Sequence, residues 1–124
     1  MQESIKIVLP LPNKRLSSNK KDGRNWTATY YLKQLDKAIG YNLTKQQVTH
    51  HNFTRDDYLK QTVYFIFKNR KSLDDDNAYT SFKNMRDGIF KALDLNDNRV
   101  LRSTIDKTIV DKLKPRVELI LEKL

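Results

Sequence analysis

The chain has 124 residues, with 24 Lys and Arg against 15 Asp and Glu, a net charge of +9 and no cysteine. This length closes one hydrophobic core, hence one domain over residues 1–124, and the grouped apolar residues with no cysteine exclude a disordered chain, a disulfide scaffold and a thiolate metal site. With no apolar run near the roughly 20 residues of a membrane span and no secretory signal at Met1-Gln2-Glu3, a cytoplasmic protein without a membrane partner is expected, its positive field drawing polyanions such as nucleic acid.

Ile5 to Leu9 is β-branched and partly alternating, and Pro10 and Pro12 remove backbone donors directly after it, which predicts a strand that stops there. Asn13 to Arg24 carries Lys14, Arg15, Lys20, Lys21 and Arg24 among turn-forming residues and reads as a basic loop. From Thr27 to about Gly40 the apolar spacing predicts an amphipathic helix with Tyr31, Leu35, Ala38 and Ile39 on one face. Trp26, just before it, reads as core or a staple at the helix entry. Residues 42–60 are polar, and some short helix is expected there because long structureless loops are uncommon in compact domains. His50 and His51 read as a solvated surface pair, and Tyr30, Tyr31, Phe53 and Tyr58 as packing residues.

Thr62 to Phe67 is a continuous β-branched and aromatic run, as expected for a strand covered on both faces or at the sheet centre. A second helix is expected to open at Asp76 or Asn77, whose side chains suit a cap, and to bury Ala78, Phe82, Met85, Ile89 and Leu93. Asp76, Thr80, Lys83 and Asp87 share a different face. Asp94 to Asn98 is a turn, and Val100 to Val110 and Arg116 to Leu124 read as two further strands. The expected fold is α+β, a mixed sheet with two main helices packed on one face, in the order β-α-β-α-β-β.

Three carboxylates in Asp74-Asp75-Asp76 exceed what capping needs, and Asp97 returns at the far end of the helix. Two like charges 4 Å apart repel by about 4 kcal/mol at an effective dielectric near 20, a cost that a divalent cation would offset. Hard oxygen ligands suit Mg2+ or Mn2+. Zinc fits poorly, since the two histidines are adjacent and point different ways. Asp97 meets Asp74 and Asp76 only if the next strand returns alongside the central one. The plainer alternative is a noncatalytic basic nucleic-acid-binding module whose aspartates cap a helix.

The stretch Asp74-Asp75-Asp76-Asn77, the helix carrying Lys83 and Asp87, and the turn Leu93-Asp94-Leu95-Asn96-Asp97-Asn98-Arg99-Val100 together resemble the RusA family of Holliday-junction resolvases. The likeness extends to the first strand with its proline and basic loop. It implies a homodimeric, magnesium-dependent endonuclease that cuts four-way DNA junctions by paired incisions. On this resemblance Asp74, Asp76 and Asp97 are the metal-binding carboxylates, and Lys83 is the nearest match to the catalytic lysine. The family lysine follows the asparagine by three residues, a slot held here by Thr80, so Lys83 lies one turn further along the acidic face. The loop cations with Lys68, Arg70 and Lys71 would then grip the phosphate backbone, a contact that carries no base sequence.

Overall fold

The computed structural model describes residues 4–12, 26–69 and 75–124, with the backbone alone for 26–28 and 75–78. Its elements are β1 (Ser4–Leu9), α1 (Trp26–Gln47), β2 (Leu59–Ile66), α2 (Asp75–Leu93), a single 3-10 turn (Asp97–Arg99), β3 (Val100–Asp106) and β4 (Arg116–Lys123). The four strands form one mixed sheet in the order β1-β4-β2-β3. β4 pairs antiparallel with both β1 and β2, whereas β2 and β3 run parallel with α2 as their crossover. The α+β class and the order of elements are as the sequence predicts.

β2 lies inside the sheet, between β4 and β3, as one of the two expected alternatives has it, and it alternates buried and half-buried residues until its last two positions, with one face in the core rather than two. Its inward set of Leu59, Val63 and Phe65 meets Ile5, Ile7 and Leu9 of β1, Val117, Leu119 and Leu121 of β4, and Phe82, Met85, Ile89 and Leu93 of α2. Phe65 and Phe82 meet edge to face at 5.8 Å, a geometry that suits the quadrupoles of two rings.

The first helix departs from expectation in length and in orientation. It continues through Gly40 to Gln47, and of the expected inner face only Ile39 packs on the core, half-buried, whereas Tyr31, Leu35 and Ala38 are exposed and Asp36, Gly40 and Thr44 are buried. Small and polar residues spaced four apart line the inner face because α2 presses against it. A Cβ on Gly40 would stand 2.1 Å from the Met85 carbonyl oxygen, and one on Gly88 2.0 Å from that of Lys37. The two glycines allow the backbones to touch, so apolar spacing misreads which face is inside. Residues 48–58 are irregular, with no separate helix.

Gln47, the last residue of α1, binds the outer edge of β1. Its Oε1 accepts from the Val8 amide at 2.8 Å and its Nε2 donates to the Val8 carbonyl at 2.7 Å, as a neighbouring strand would. No described strand pairs with the outer edge of β3.

Candidate functional site

Asp97 is delivered by two consecutive turns. Asp94 takes the left-handed conformation with φ 56°, and Leu95 donates back to the Phe90 carbonyl at 3.0 Å while Asp94 donates to that of Lys91 at 3.2 Å. These two bonds form a Schellman stop, with an aspartate in the place glycine usually takes. Asn96 then caps the 3-10 turn by accepting from the Asn98 amide at 3.0 Å, and β3 begins at Val100. The turn thus has structural work for Asp94 and Asn96, and leaves the Asp97 carboxylate half exposed in a cleft of about 280 Å³.

Beside that carboxylate stands Arg86, Nη1 to Oδ2 at 3.6 Å. The guanidinium is fixed from two sides. Its Nε donates to Gln61 Oε1 at 2.9 Å, and its carbon lies 4.5 Å from the centre of the Phe90 ring. Gln61 is 1% exposed and its amide nitrogen donates to Tyr79 Oη at 3.0 Å and Ser103 Oγ at 2.8 Å. One buried amide therefore joins β2, α2 and β3 and, through Arg86, sets the position of Asp97. Sequence reading passed over Gln61 and Arg86. The available signal was parity, since Gln61 shares the inward register of Leu59, Val63 and Phe65.

The cleft around Asp97 is also lined by Lys37, Arg55, Asp87 and Lys91. Arg55 pairs with Asp94 at 3.1 Å on the surface, while Lys37 and Lys91 make no ion pair among the described residues. The site combines carboxylates with cations, and the positive groups offset the repulsion that the carboxylates would exert on an anion.

Of the expected ligands, Asp97 alone has a described side chain. Asp74 lies outside the described residues, and Asp76 is placed by its backbone in the first turn of α2. Lys83 and Asp87 are exposed and Thr80 is half-buried, in keeping with an outer helix face. Lys14, Arg15, Lys20, Lys21, Arg24, Arg70 and Lys71 lie outside the described residues, and Lys68 is exposed.

β3 does return alongside β2, but parallel to it, with Leu59 beside Val100 and Tyr64 beside Asp106. α2 runs the opposite way. Phe82 packs on Phe65, Arg86 binds Gln61, and the Leu93 carbonyl meets His51, which precedes β2, so the contacts step backwards along the chain. The helix start and Asp97 thus occupy opposite ends of the crossover. Arg86, the partner of Asp97, is ten residues past Asp76, or about 15 Å of helical rise. Among the described residues no three His, Cys, Asp or Glu side chains gather as a metal site. The described part of one chain accordingly does not fit a three-carboxylate metal centre by itself.

Other expectations change as well. His51 is half-buried rather than solvated: its Nδ1 accepts from the Phe53 amide at 3.0 Å, which leaves Nε2 to donate to the Leu93 carbonyl at 3.0 Å. It ties the end of α2 to the loop before β2. His50 is exposed, as expected. Phe53 is core, but Tyr30, Tyr31 and Tyr58 are exposed at 52%, 66% and 50%, and Tyr58 carries the Arg99 guanidinium 4.9 Å above its ring. No helix among the described residues is long and apolar enough to cross a membrane.

Compared with known proteins, the chain matches no family model and no curated protein.

Proposed function

We propose that this chain is an endonuclease of branched DNA, of the kind that resolves four-way junctions with Mg2+ or Mn2+, acting as a homodimer. The reading begins from the resemblance of its acidic motifs to the RusA family. The observation that carries it furthest is Asp97, a carboxylate beside a fixed guanidinium in a cleft whose lining joins Lys37, Arg55 and Lys91 with a second carboxylate, Asp87.

Phosphodiester hydrolysis adds the oxygen of water to phosphorus and breaks the bond to the leaving oxygen, so negative charge must be gathered and then stabilised. In this chain the lysines supply long-range attraction for the phosphate, while Arg86 and Gln61 fix the orientation of Asp97. A divalent ion would supply Lewis acidity and an activated water. Asp74, Asp76 and Asp97 are the residues proposed to hold it, and Lys83 the residue nearest the family lysine.

The test is cleavage of labelled four-way junction, fork and linear duplex side by side, with Mg2+ or Mn2+ and with the Asp76→Asn variant. Cleavage selective for the junction, lost in Asp76→Asn while binding persists, is the expected outcome. Binding without cleavage in the unaltered protein would replace this reading with a noncatalytic basic module, in which Asp97 serves only its ion pair with Arg86.

A further inference from the structure

Between β3 and β4 the chain builds a tip that has no part in the cleft around Asp97. Leu113 is 96% exposed, more than any other large apolar side chain among the described residues. A single apolar residue on a surface is ordinary, but this one is fastened in place. Asp111 Oδ1 accepts from the amides of Leu113 and Lys114 at 3.0 and 3.1 Å, and its Oδ2 accepts from Arg116 Nη1 at 2.9 Å. The same Nη1 donates to the Lys114 carbonyl at 2.8 Å, while Arg116 Nε donates to Glu118 at 2.7 Å. The Asp111 amide in turn donates to the Phe67 carbonyl at 2.9 Å, which ties the tip to the end of β2. Pro115 follows with a fixed φ and no backbone donor.

These bonds occupy the acids of the tip and leave its cations open. Asp111 and Glu118 are both committed to Arg116, and Asp106 to Thr108. Lys112 and Lys114 flank Leu113 and are exposed, as is Lys68 next to the Phe67 anchor, and none of them makes an ion pair among the described residues. An apolar side chain set among lysines suits a partner with an apolar interior and an anionic rim. Nucleic acid has both, with stacked bases inside and phosphates outside. A bilayer has the same order, but one leucine buries too little apolar surface to anchor a protein there.

We infer that Leu113 is a wedge that enters the base stack of branched DNA, with Lys112, Lys114 and Lys68 on the flanking phosphates. The inference rests on the nuclease reading and deepens it, by naming a residue that distinguishes a branch from continuous duplex. Opening a base step costs stacking energy, and at a branch point part of that energy is already lost, so an apolar side chain enters there against the least resistance. Because hydrogen bonds hold the turn before DNA arrives, little freedom is lost on insertion. Val110 bridges Phe67, and β4 leaves the tip opposite Ile66, which places Leu113 at the end of the sheet where β2 gives way to α2.

The test reads the bases directly, without cleavage. A fluorescent adenine analogue that brightens when unstacked is placed at the branch of a four-way junction and at the matching position of a linear duplex, and protein is added in EDTA. The unaltered protein should brighten the junction probe and bind the junction more tightly than the duplex. Leu113→Ala should lose the brightening and weaken junction binding by roughly tenfold, with duplex binding held by the lysines nearly unchanged. Leu113→Phe, a larger wedge, should keep both. Asp111→Ala, its fold checked by circular dichroism, should lose much of the brightening although Leu113 is present. Leu124→Ala, an exposed leucine at the other end of β4, should match the unaltered protein.

A Leu113→Ala protein equal to the unaltered one in brightening and junction binding would overturn the wedge, and junction-selective cleavage in Mg2+ would then still keep the nuclease reading. The full brightening pattern without cleavage in Mg2+ or Mn2+ would overturn the nuclease reading and keep the wedge. No binding to the junction would overturn the wedge outright, and binding to anionic lipid vesicles that is lost in Leu113→Ala would then assign the tip to a membrane surface.

Discussion

The two outer strands of the sheet solve the same problem in different ways. β1 ends its hydrogen-bonding outward on a side chain, with both polar atoms of the Gln47 amide on Val8. β3 is tied only inward, to β2 by its parallel ladder and to Gln61 through Ser103. An exposed strand edge invites association, and a protein that covers one while leaving the other bare has room for a partner on one side only. The bare edge is also the one whose strand begins three residues after Asp97.

The inward anchor of β3 is where the contrast breaks most severely. Gln61→Ala removes an amide that satisfies Arg86, Tyr79 and Ser103 together, and leaves a nearly buried guanidinium without its Nε partner. It should destabilise the fold by about 3 kcal/mol, measured by urea denaturation, because stranding buried polar and charged groups costs more than the hydrogen bonds themselves contribute. Gln47→Ala opens the β1 edge and loses two bonds at an exposed position, so a loss of about 1 kcal/mol is expected. Equal losses in the two variants would erase the distinction between a buried hub and a surface clamp.

The smallest expected effect concerns the charges that fasten β1 to β4. Glu118 lies between Arg116 and Lys6 at 2.7 and 3.3 Å. Its carboxyl is held below the ordinary value chiefly by the Arg116 hydrogen bond, against the upward push of burial, with Lys6 assisting. A lowered folded-state value means stability that is present above the unfolded value and lost as pH falls through the folded one. Glu118→Gln should therefore flatten the fall in urea midpoint between about pH 5 and pH 3. An unchanged slope would assign the acid sensitivity to Asp111, which is lowered foremost by its Arg116 hydrogen bond, or to Asp57, lowered foremost by the Thr54 amide.

The strands and α2 were legible because their side chains alternate or recur at the period their burial demands: Ile5, Ile7 and Leu9 on β1, and Phe82, Met85, Ile89 and Leu93 on α2. α1 was misread for a physical reason. Its inner face is set by close backbone approach at Gly40 and Gly88, with Asp36 and Thr44 buried on α1, so that Ile39 and Leu43 pack on the core only half-buried. Asp97 was identifiable as a residue but not as a position. Whether a strand returns parallel or antiparallel depends on pairing over the whole sheet, and the parallel return puts Asp97 at the far end of α2 from Asp76. Arg86 escaped notice since an arginine on a helix edge looks solvated until a buried amide is found behind it.

The most direct measurement of the central claim is manganese binding followed by electron paramagnetic resonance in the unaltered protein, Asp76→Asn and Asp97→Asn. The account predicts a bound-ion signal that weakens in each variant while the circular dichroism spectra stay superimposable, since the proposed function assigns both carboxylates to one site. Manganese bound equally by all three proteins, or by none, would contradict it.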